Sequence, residues 1–356
     1  MDTKNPSIYN KKRFWAAVLA AQFLLFYIFS KIEFIINLHE VFFEFQKKFH
    51  QQIFSWIPFS LGDLFYIFLG VLFVYFLIKL YRKNNRKKLG FRLLIFINAM
   101  YFIYQIFWGM LYFQKPLLKK FPDQKPTVEE TKTLVLKYLE LAKSDRQNVQ
   151  EDENGVFKIS DIHLIKKEIL KQQTQIPTWI TNKKPTKIDA VKPSIFKGIM
   201  SYSGILGHYN PFTSEAQFNS ELPSSYLPFT LAHETSHQLG FAREQEANFV
   251  GFLVGKNADN SDLKYSTHYY VLKSLLNSLA EQHPEFVKEV LENYSDGMKR
   301  DRLFEKQFRE KHEGILETFF GITNDLFLKS NQQEGSVTYS YFNDLLICYE
   351  RTSPHH

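Results

Sequence analysis

Two histidines lie four residues apart in the stretch LAHETSHQLGFAREQEANF, residues 231–249. Successive residues of an α-helix are about 100° apart around the axis, so His233 and His237 leave the same face one turn apart. Both imidazoles can then reach one metal ion, at about 2.0–2.1 Å for zinc. Glu234 lies about 100° around the helix from His233. From there it cannot be a third ligand, but it can reach a water held on the metal. The spacing predicts two zinc ligands and a general base on one helical turn.

The residues on either side of this motif strengthen the prediction. An apolar run, residues 228–232, leads into the motif and predicts that its helix is buried. Unpaired histidines and a glutamate are costly in a buried helix, and a metal ion removes that cost. Gly240 stands where a helix commonly ends in a left-handed residue.

A third protein ligand is expected from the next helix, REQEANFVGFLVG, residues 243–255. One face of this helix is small enough to pack closely against the histidine helix; it consists of Glu244, Ala247, Asn248 and Gly251. We favour Glu244 as the third ligand, with Asn248 one turn later holding a ligand histidine by a hydrogen bond. Glu246 is the alternative, because a carboxylate on the apolar face of the same helix also needs a partner.

HExxH followed by a glutamate on a second helix resembles the gluzincin branch of zinc metallopeptidases. In that branch the second helix typically carries ExxAD or ExxxD, with the first glutamate on zinc. Residues 244–248 read EQEAN, with Asn248 in place of the aspartate. The metzincin pattern HExxHxxGxxH is also similar at Gly240, but Arg243 occupies the position of its third histidine.

The chain as a whole resembles the bacterial domain-of-unknown-function family 3810, membrane-anchored proteins grouped with zincin-type peptidases. The resemblance rests on the apolar N-terminal segments, on the histidine stretch, on GHYNPFTSEAQFN (207–219) and on SVTYSYFNDLL (336–346). It implies a zincin-like fold and supplies no substrate.

Three apolar segments of the first third predict membrane spans, at about 14–30, 56–78 and 93–114, with Asp63 as their one charge. About 20 apolar residues cross a bilayer core. The first segment is the shortest and could instead be a cleaved signal peptide. No small-residue cleavage pattern follows it, which favours a span.

Charge predicts the orientation of these spans. Four basic residues precede the first span, and the loop 79–92 carries seven basic residues and no acid; the loop between the first two spans balances three lysines against three glutamates. By the positive-inside rule the N-terminus and the basic loop are cytoplasmic, so everything after Gln114 lies outside. In a bacterium this is the outer, periplasmic face of the inner membrane. The loop accounts for the whole net charge of +7, so the basic composition does not indicate nucleic-acid binding.

The expected fold is mainly α. A three-span anchor (1–114) and a linker (115–126) precede a zincin-like α+β metallopeptidase domain (127–356) with a small sheet and a long helical C-terminal part. Thr127 and Glu130 fit a capping box at the start of a helix, and a second helix is expected at about 159–173. Residues 196–219 predict two short strands that turn at Asn210–Pro211. After Pro223 the chain is expected to be helical, with breaks near residues 240, 257–262, 283–284, 295–297, 321 and 335.

The sequence leaves two further parts of a peptidase site undecided: the strand that would pair with the substrate and the donor that would stabilise the oxyanion. Residues 199–206 predict either an edge strand that pairs with an extended substrate or a core strand. Candidate donors to an oxyanion are Tyr202, His268, Tyr339 and Tyr341. The histidines at 208, 283, 312, 355 and 356 lack ligand spacing and are expected at the surface or in the core. The single cysteine, Cys348, excludes an intramolecular disulfide.

The expected function is a zinc-dependent peptidase anchored in the membrane, which hydrolyses a peptide or protein substrate through a zinc-bound water with Glu234 as general base. The alternative is a non-catalytic membrane protein whose metal site serves folding or partner binding. An intramembrane protease or transporter is disfavoured, because Asp63 is alone within the spans and lies near the end of one of them.

Overall fold

The computed structural model describes residues 12–81, 86–186, 188–330 and 341–352. The N-terminal part is helical: α1 (Lys12–Phe29), α2 (Glu33–Phe54), α3 (Leu61–Tyr81) and α4 (Arg86–Phe107), followed by two short 3-10 helices, Gly109–Phe113 and Leu117–Lys120. Three of these helices are long and apolar enough to cross a membrane: α1, α3 and residues 88–107 of α4. Three membrane-length helices at the N-terminus are therefore confirmed.

The rest of the chain is mainly helical around a small sheet. Its elements are α5 (Val128–Arg146), α6 (Ile162–Gln173), β1 (Val191–Pro193), α7 (Lys197–Ser203), β2 (Gly207–Asn210), β3 (Glu215–Phe218), α8 (Leu227–Gln238), α9 (Glu244–Gly255), α10 (Ser261–Leu279), α11 (Pro284–Glu292), α12 (Asp296–His312), α13 (Ile315–Ser330) and α14 (Tyr341–Thr352). The Thr127–Glu130 capping box that starts α5 is confirmed, and α6 is the helix expected at 159–173.

The three apolar helices lie side by side, with the last residues of α1 and α4 and the first residues of α3 towards the remainder of the protein. α1 and α4 run in the same direction, with Lys12 beside Gly90 and Phe26 against Phe102. α3 runs the opposite way, and its first residues contact the sheet, because Glu215 of β3 accepts hydrogen bonds from the amides of Leu61 and Gly62. The basic ends of α1, α3 and α4 thus lie away from the sheet.

The third apolar helix begins and ends earlier than the sequence predicts. Instead of continuing to residue 114, α4 ends at Phe107, and Trp108 to Tyr112 are buried within the protein. Phe43, Tyr209 and Ala242 form one cluster with these residues. Hydropathy cannot distinguish an aromatic side chain covered by protein from one covered by lipid, which is why the segment is predicted as part of a span.

The segment between the first two spans is the long helix α2 rather than a simple loop. Its buried residues are mostly polar, and its exposed residues are mostly large and apolar. This distribution is the reverse of an ordinary surface helix, whose apolar stripe faces the core.

The small sheet is mixed, with strand order β1-β3-β2. β2 and β3 pair antiparallel, with Tyr209 opposite Ala216, so the predicted hairpin is confirmed. β1 pairs parallel with β3 and was not predicted, because its three residues lie in a proline-rich stretch. A strand at 199–206 is wrong: α7 occupies most of that range and ends at Gly204, which has a left-handed φ of 71°.

The main core is built by α5, α9, α10 and α14. Leu117 and Phe121, from the predicted linker, are buried in the same core. The helix breaks fall near the predicted positions, with two exceptions. Gly321 lies inside α13, because a glycine within a helix is tolerated and need not end it. Residue 335 lies outside the described ranges.

Candidate metal centre

The histidine motif lies on α8, a twelve-residue helix that is buried along nearly its whole length. Proline occurs in its first turn, where a missing amide hydrogen is tolerated. The side chain of His233 keeps 13% of its surface exposed, whereas His237 and Glu234 are buried. The buried helix that the apolar approach predicts is confirmed.

The two imidazoles converge on the carboxylate of Glu244. Nε2 of His233 lies 3.3 Å from one carboxylate oxygen, and Nε2 of His237 lies 3.6 Å from the other. Two ligands held about 2.1 Å from zinc at a tetrahedral angle are about 3.4 Å apart. The three side chains are therefore spaced as ligands of one ion would be.

The other ring nitrogen of each histidine has an oxygen acceptor. Nδ1 of His233 lies 2.7 Å from Oδ1 of Asn248, and Nδ1 of His237 lies 2.7 Å from the backbone oxygen of Phe241. An acceptor at Nδ1 selects the tautomer that carries its proton there and leaves the Nε2 lone pair free for a metal. Both rings are thus oriented as metal ligands.

The bend after α8 positions the acceptor of His237. The amide of Gly240 donates to the carbonyl of His237, and the amide of Phe241 donates to the carbonyl of Ser236. These two bonds form a Schellman motif, which requires a left-handed residue at Gly240. Gly240 has φ 94°, as predicted. The same bend turns the Phe241 carbonyl back towards His237.

Close packing of α9 on α8 brings Glu244 and Asn248 to the histidines. A β-carbon added at Gly251 would lie 3.2 Å from the backbone nitrogen of His233, so only glycine fits here without a shift. Ala247 is fully buried one turn earlier. The small face predicted for this helix therefore lies against the histidine helix.

Glu234 completes the cluster, and its carboxylate lies within 4.8 Å of the two imidazole donors. Among the described residues, His233, Glu234 and His237 form the one group of three or more histidine, cysteine and acidic side chains whose ligand atoms all lie within 4.8 Å of one another; Glu244 approaches the two imidazoles through two different oxygens. Oε2 of Glu234 is buried and has no hydrogen-bond partner in the described ranges. Burial raises the pKa of Glu234 to about 7, an effect that the two nearby imidazoles partly offset.

The electrostatics of the other members favour charged groups in the site. Burial acts to lower the pKa of His237, but the charge of Glu244 and a hydrogen bond to it outweigh burial and raise this pKa to about 9. Burial acts to raise the pKa of Glu244, and the histidines reverse that effect and hold it well below its usual range. The carboxylate is therefore ionised, as a metal ligand must be.

Glu246, the alternative third ligand, has other partners. Its Oε1 accepts hydrogen bonds from the amide of Leu117 at 2.8 Å and from the guanidinium of Arg243 at 3.0 Å. Arg243 also donates to the backbone oxygens of Tyr112 and Gln114. Glu246 thus ties α9 to the chain that follows α4, and the two imidazoles lie against Glu244 instead.

One wall of the site comes from the N-terminal part of the chain. The Trp108 ring lies 5.9 Å from the ring of His237 and 4.6 Å from that of Tyr209. A β-carbon added at Gly240 would lie 2.8 Å from the ring of Phe43 on α2. Sequence reasoning missed this wall, because no motif links Trp108 to a histidine so far along the chain. Gly240 was a usable signal for the bend.

The other candidate side chains have partners outside the cluster. His268 pairs with Asp145 at 2.6 Å, and the ring of Tyr202 lies 4.9 Å from that of His312. Tyr341 begins α14, whereas Tyr339, His355 and His356 lie outside the described residues. His208 lies 3.9 Å from Asp63, and His283 precedes α11 as its N-cap. Those of these side chains that the structure describes do not belong to the cluster around His233.

The donor set fits a zinc ion. Two imidazole nitrogens, which must be deprotonated for an ion to bind, and a carboxylate oxygen are ligands that zinc accepts, and three protein ligands leave a fourth position open. The carboxylate of Glu234 lies within 4.8 Å of the two imidazole donors, and its buried Oε2 has no hydrogen-bond partner in the described residues.

Comparison with the curated proteins and with the solved structures gives no match. The family DUF3810, described as a protein of unknown function, matches residues 39–347.

Proposed function

The chain belongs to the DUF3810 family, and from that premise we propose that it is a membrane-anchored, zinc-dependent peptidase with a zincin-like fold. The observation that carries this proposal is the convergence of two correctly oriented imidazoles on Glu244, next to a buried glutamate whose Oε2 has no partner in the described part of the chain. His233, His237 and Glu244 would hold the ion, and Asn248 and the Phe241 carbonyl would orient the rings.

The chemistry follows from the types and positions of these groups. A zinc ion held by three protein ligands polarises a carbonyl and lowers the pKa of water. Glu234 takes up the proton of the attacking water and delivers it to the leaving amine. Burial raises the pKa of this carboxyl, the direction that suits a group which both takes up and releases a proton near neutral pH.

The sheet offers a place for an extended peptide substrate. β2 is the edge strand of the order β1-β3-β2, and no other strand of the described chain pairs with its outer side. A β-carbon added at Gly207 of β2 would lie 2.7 Å from the side chain of Glu234. A peptide added along β2 would therefore pass close to the general base. This strand would take the role of a substrate-pairing edge strand, which was one of the two alternatives for residues 199–206.

The location proposed is the bacterial inner membrane, with the metal centre on its outer face. Lys12 begins α1, Lys79 lies in the last turn of α3 and Arg86 begins α4, and these ends of the helices point away from the sheet. By the positive-inside rule those ends are cytoplasmic. The N-terminus is then cytoplasmic and the helical domain periplasmic.

The test uses the full-length protein in detergent, with Glu234→Gln beside His233→Ala and the wild type. We expect the wild type to bind zinc and to hydrolyse a casein-like substrate. Glu234→Gln should keep the zinc and lose hydrolysis, because it retains the ligands and removes the base. His233→Ala should lose both, and zinc content is measured by mass spectrometry.

Two results would contradict the proposal. A wild-type protein that stays metal-free when zinc is supplied during purification removes the metal site. Zinc-bound wild type and Glu234→Gln that behave alike support the alternative, in which a structural metal serves folding or partner binding.

A further inference from the structure

Helix α2 exposes an apolar stripe along its whole length. Phe34, Val41 and Phe45 keep 74%, 68% and 69% of their surface exposed. Further members of the stripe are Leu38, Phe42, Phe49 and Ile53. Their spacing of three or four residues places them on one side of the helix. A monomeric soluble protein rarely exposes such a continuous apolar surface, so the stripe requires a covering partner.

The opposite side of α2 is fixed to the helical domain by polar contacts. Gln46 donates to the backbone oxygen of Pro211 at 3.1 Å, and Lys47 donates to that of Lys184 at 3.1 Å. His39 bonds the carbonyl of Ile106 at the end of α4. Phe43 is the apolar exception and is fully buried. The orientation of α2 is therefore set by the protein, and its stripe must face outward.

The neighbouring chain identifies what covers the stripe. α1 ends at Phe29 and α2 begins at Glu33, while α3 begins at Leu61, only a short turn after α2 ends. Both flanking helices are long and apolar enough to cross a membrane. Trp56, 77% exposed in that turn, and Tyr27, 56% exposed near the end of α1, are residues that collect at membrane–water interfaces.

Charge excludes α2 as a further span. It carries Glu33, Glu40, Glu44, Lys47 and Lys48, and it is not among the helices of the described chain that are long and apolar enough to cross a membrane. Charged residues at the bilayer centre are costly and rare. An amphipathic helix that cannot span lies in the plane of the interface.

We propose that α2 lies in the outer lipid interface as an in-plane helix, with its apolar stripe among the acyl chains and its polar side beneath the metal centre. The apolar face of such a helix lies about 5–10 Å into the boundary between headgroups and acyl chains. The occupant of this surface is the lipid bilayer that α1 and α3 enter.

This placement defines the substrate class, a consequence that rests on the proposed peptidase function. Phe43, on the inner side of α2, contacts the bend that follows His237. A helix with its side chains is about 10–12 Å across, so the metal centre lies about one helix diameter above the lipid. The matching substrate is a peptide bond held close to the bilayer, in a lipid-anchored peptide or next to a span of another membrane protein.

Depth-dependent quenching tests the placement without any requirement for activity. The single native cysteine is first replaced by Cys348→Ala. Phe45→Cys and Phe49→Cys then carry an environment-sensitive fluorophore in the full-length protein, reconstituted in nanodiscs with spin-labelled lipids. Val71→Cys, 64% exposed in the middle of α3, is the deep control, and Leu136→Cys, 51% exposed on α5, is the control outside the membrane.

We expect lipids labelled near the headgroup to quench positions 45 and 49 more strongly than lipids labelled deep in the chain, with the reverse order at position 71 and no quenching at 136. Deep quenching at 45 and 49 would make α2 a span and overturn the proposal. Lack of quenching, with or without the blue-shifted emission of a protein contact, would also overturn it, by showing that water, a second copy or another protein covers the stripe.

The substrate class is tested in the same nanodiscs. An acylated peptide and its unacylated counterpart of identical sequence are compared at matched bulk concentration. Faster hydrolysis of the acylated peptide supports the class, and equal rates contradict it. Absence of hydrolysis of both, with α2 at the interface, contradicts the peptidase function and leaves the placement of α2 standing.

Discussion

The two imidazoles are oriented by different kinds of acceptor. His233 depends on a side chain, Asn248, whereas His237 depends on the backbone carbonyl of Phe241. A side chain can be exchanged directly, but a carbonyl can be moved only by changing the bend that carries it. Substitutions can therefore separate the two contributions to metal affinity.

Asn248→Ala is expected to weaken zinc binding by about 10- to 100-fold, because the ring of His233 loses the acceptor that fixes its tautomer and orientation. Asn248→Asp restores an acceptor at the same position and should recover the affinity. Competition with a chromogenic chelator measures both. Unchanged affinity in Asn248→Ala would show that this hydrogen bond does not orient a ligand.

Glu244→Gln and Glu246→Gln distinguish the two candidate ligands. Glu244→Gln should lose bound zinc, because an amide is a poor replacement for an ionised ligand. Glu246→Gln should keep zinc and lower stability by about 1–3 kcal/mol, since a hydrogen-bonded charge is lost between Leu117 and Arg243. Metal content and thermal unfolding of the full-length protein are measured together. The reverse assignment of the two effects would make Glu246 the ligand.

At the scale of elements, the site depends on two helices and the bend between them. α8 carries the two imidazoles and Glu234, α9 carries Glu244 and Asn248, and Gly240 allows α8 to end where it does. A change in the bend therefore alters stability and metal affinity together.

Gly240→Ala tests this coupling. A β-carbon in the left-handed region costs roughly 1–2 kcal/mol, and here it would also lie 2.8 Å from Phe43. We expect lower thermal stability together with weaker zinc binding, as the Phe241 carbonyl shifts from His237. Gly198→Ala, inside α7 with open space around it, should leave the affinity unchanged and stabilise the protein by up to about 1 kcal/mol. Equal effects of the two substitutions would refute a special role for the bend.

The sequence predicts those parts of the site that local periodicity determines. His233, His237, Glu244 and Asn248 lie on two consecutive helices, so residue spacing alone specifies which side chains share a face. β1 and the 3-10 segment after α4 could not be predicted from the sequence, because their structure depends on contacts with residues far away in the chain. Three residues form a strand at Val191 only because β3 lies beside them, and Trp108 is placed by contacts with residues far along the chain.

On the scale of the whole molecule, the apolar helices and the helical domain share buried polar contacts. Glu215 is fully buried, accepts from the first amides of α3, and pairs with Lys192 at 2.6 Å. Lys192 also donates to the backbone oxygens of Phe54 and Phe59. The sheet is thereby joined to the turn between α2 and α3.

Glu215→Ala should destabilise the protein by about 3–5 kcal/mol, because it leaves the ammonium of Lys192 buried without its partner. The double substitution Glu215→Gln with Lys192→Met removes both charges and should recover much of that loss. Thermal unfolding in nanodiscs measures each variant. A single substitution that unfolds like the wild type would show that the pair does not couple the sheet to α3.

The hydrogen bonds from Arg243 to Tyr112 and Gln114 also have a consequence for biosynthesis. The ribosome makes residues 112–114 long before Arg243, so the carbonyls of Tyr112 and Gln114 gain this partner only after the chain has been made as far as α9. The side chains of the proposed zinc site lie on α8 and α9, so its assembly also belongs to this late stage of synthesis.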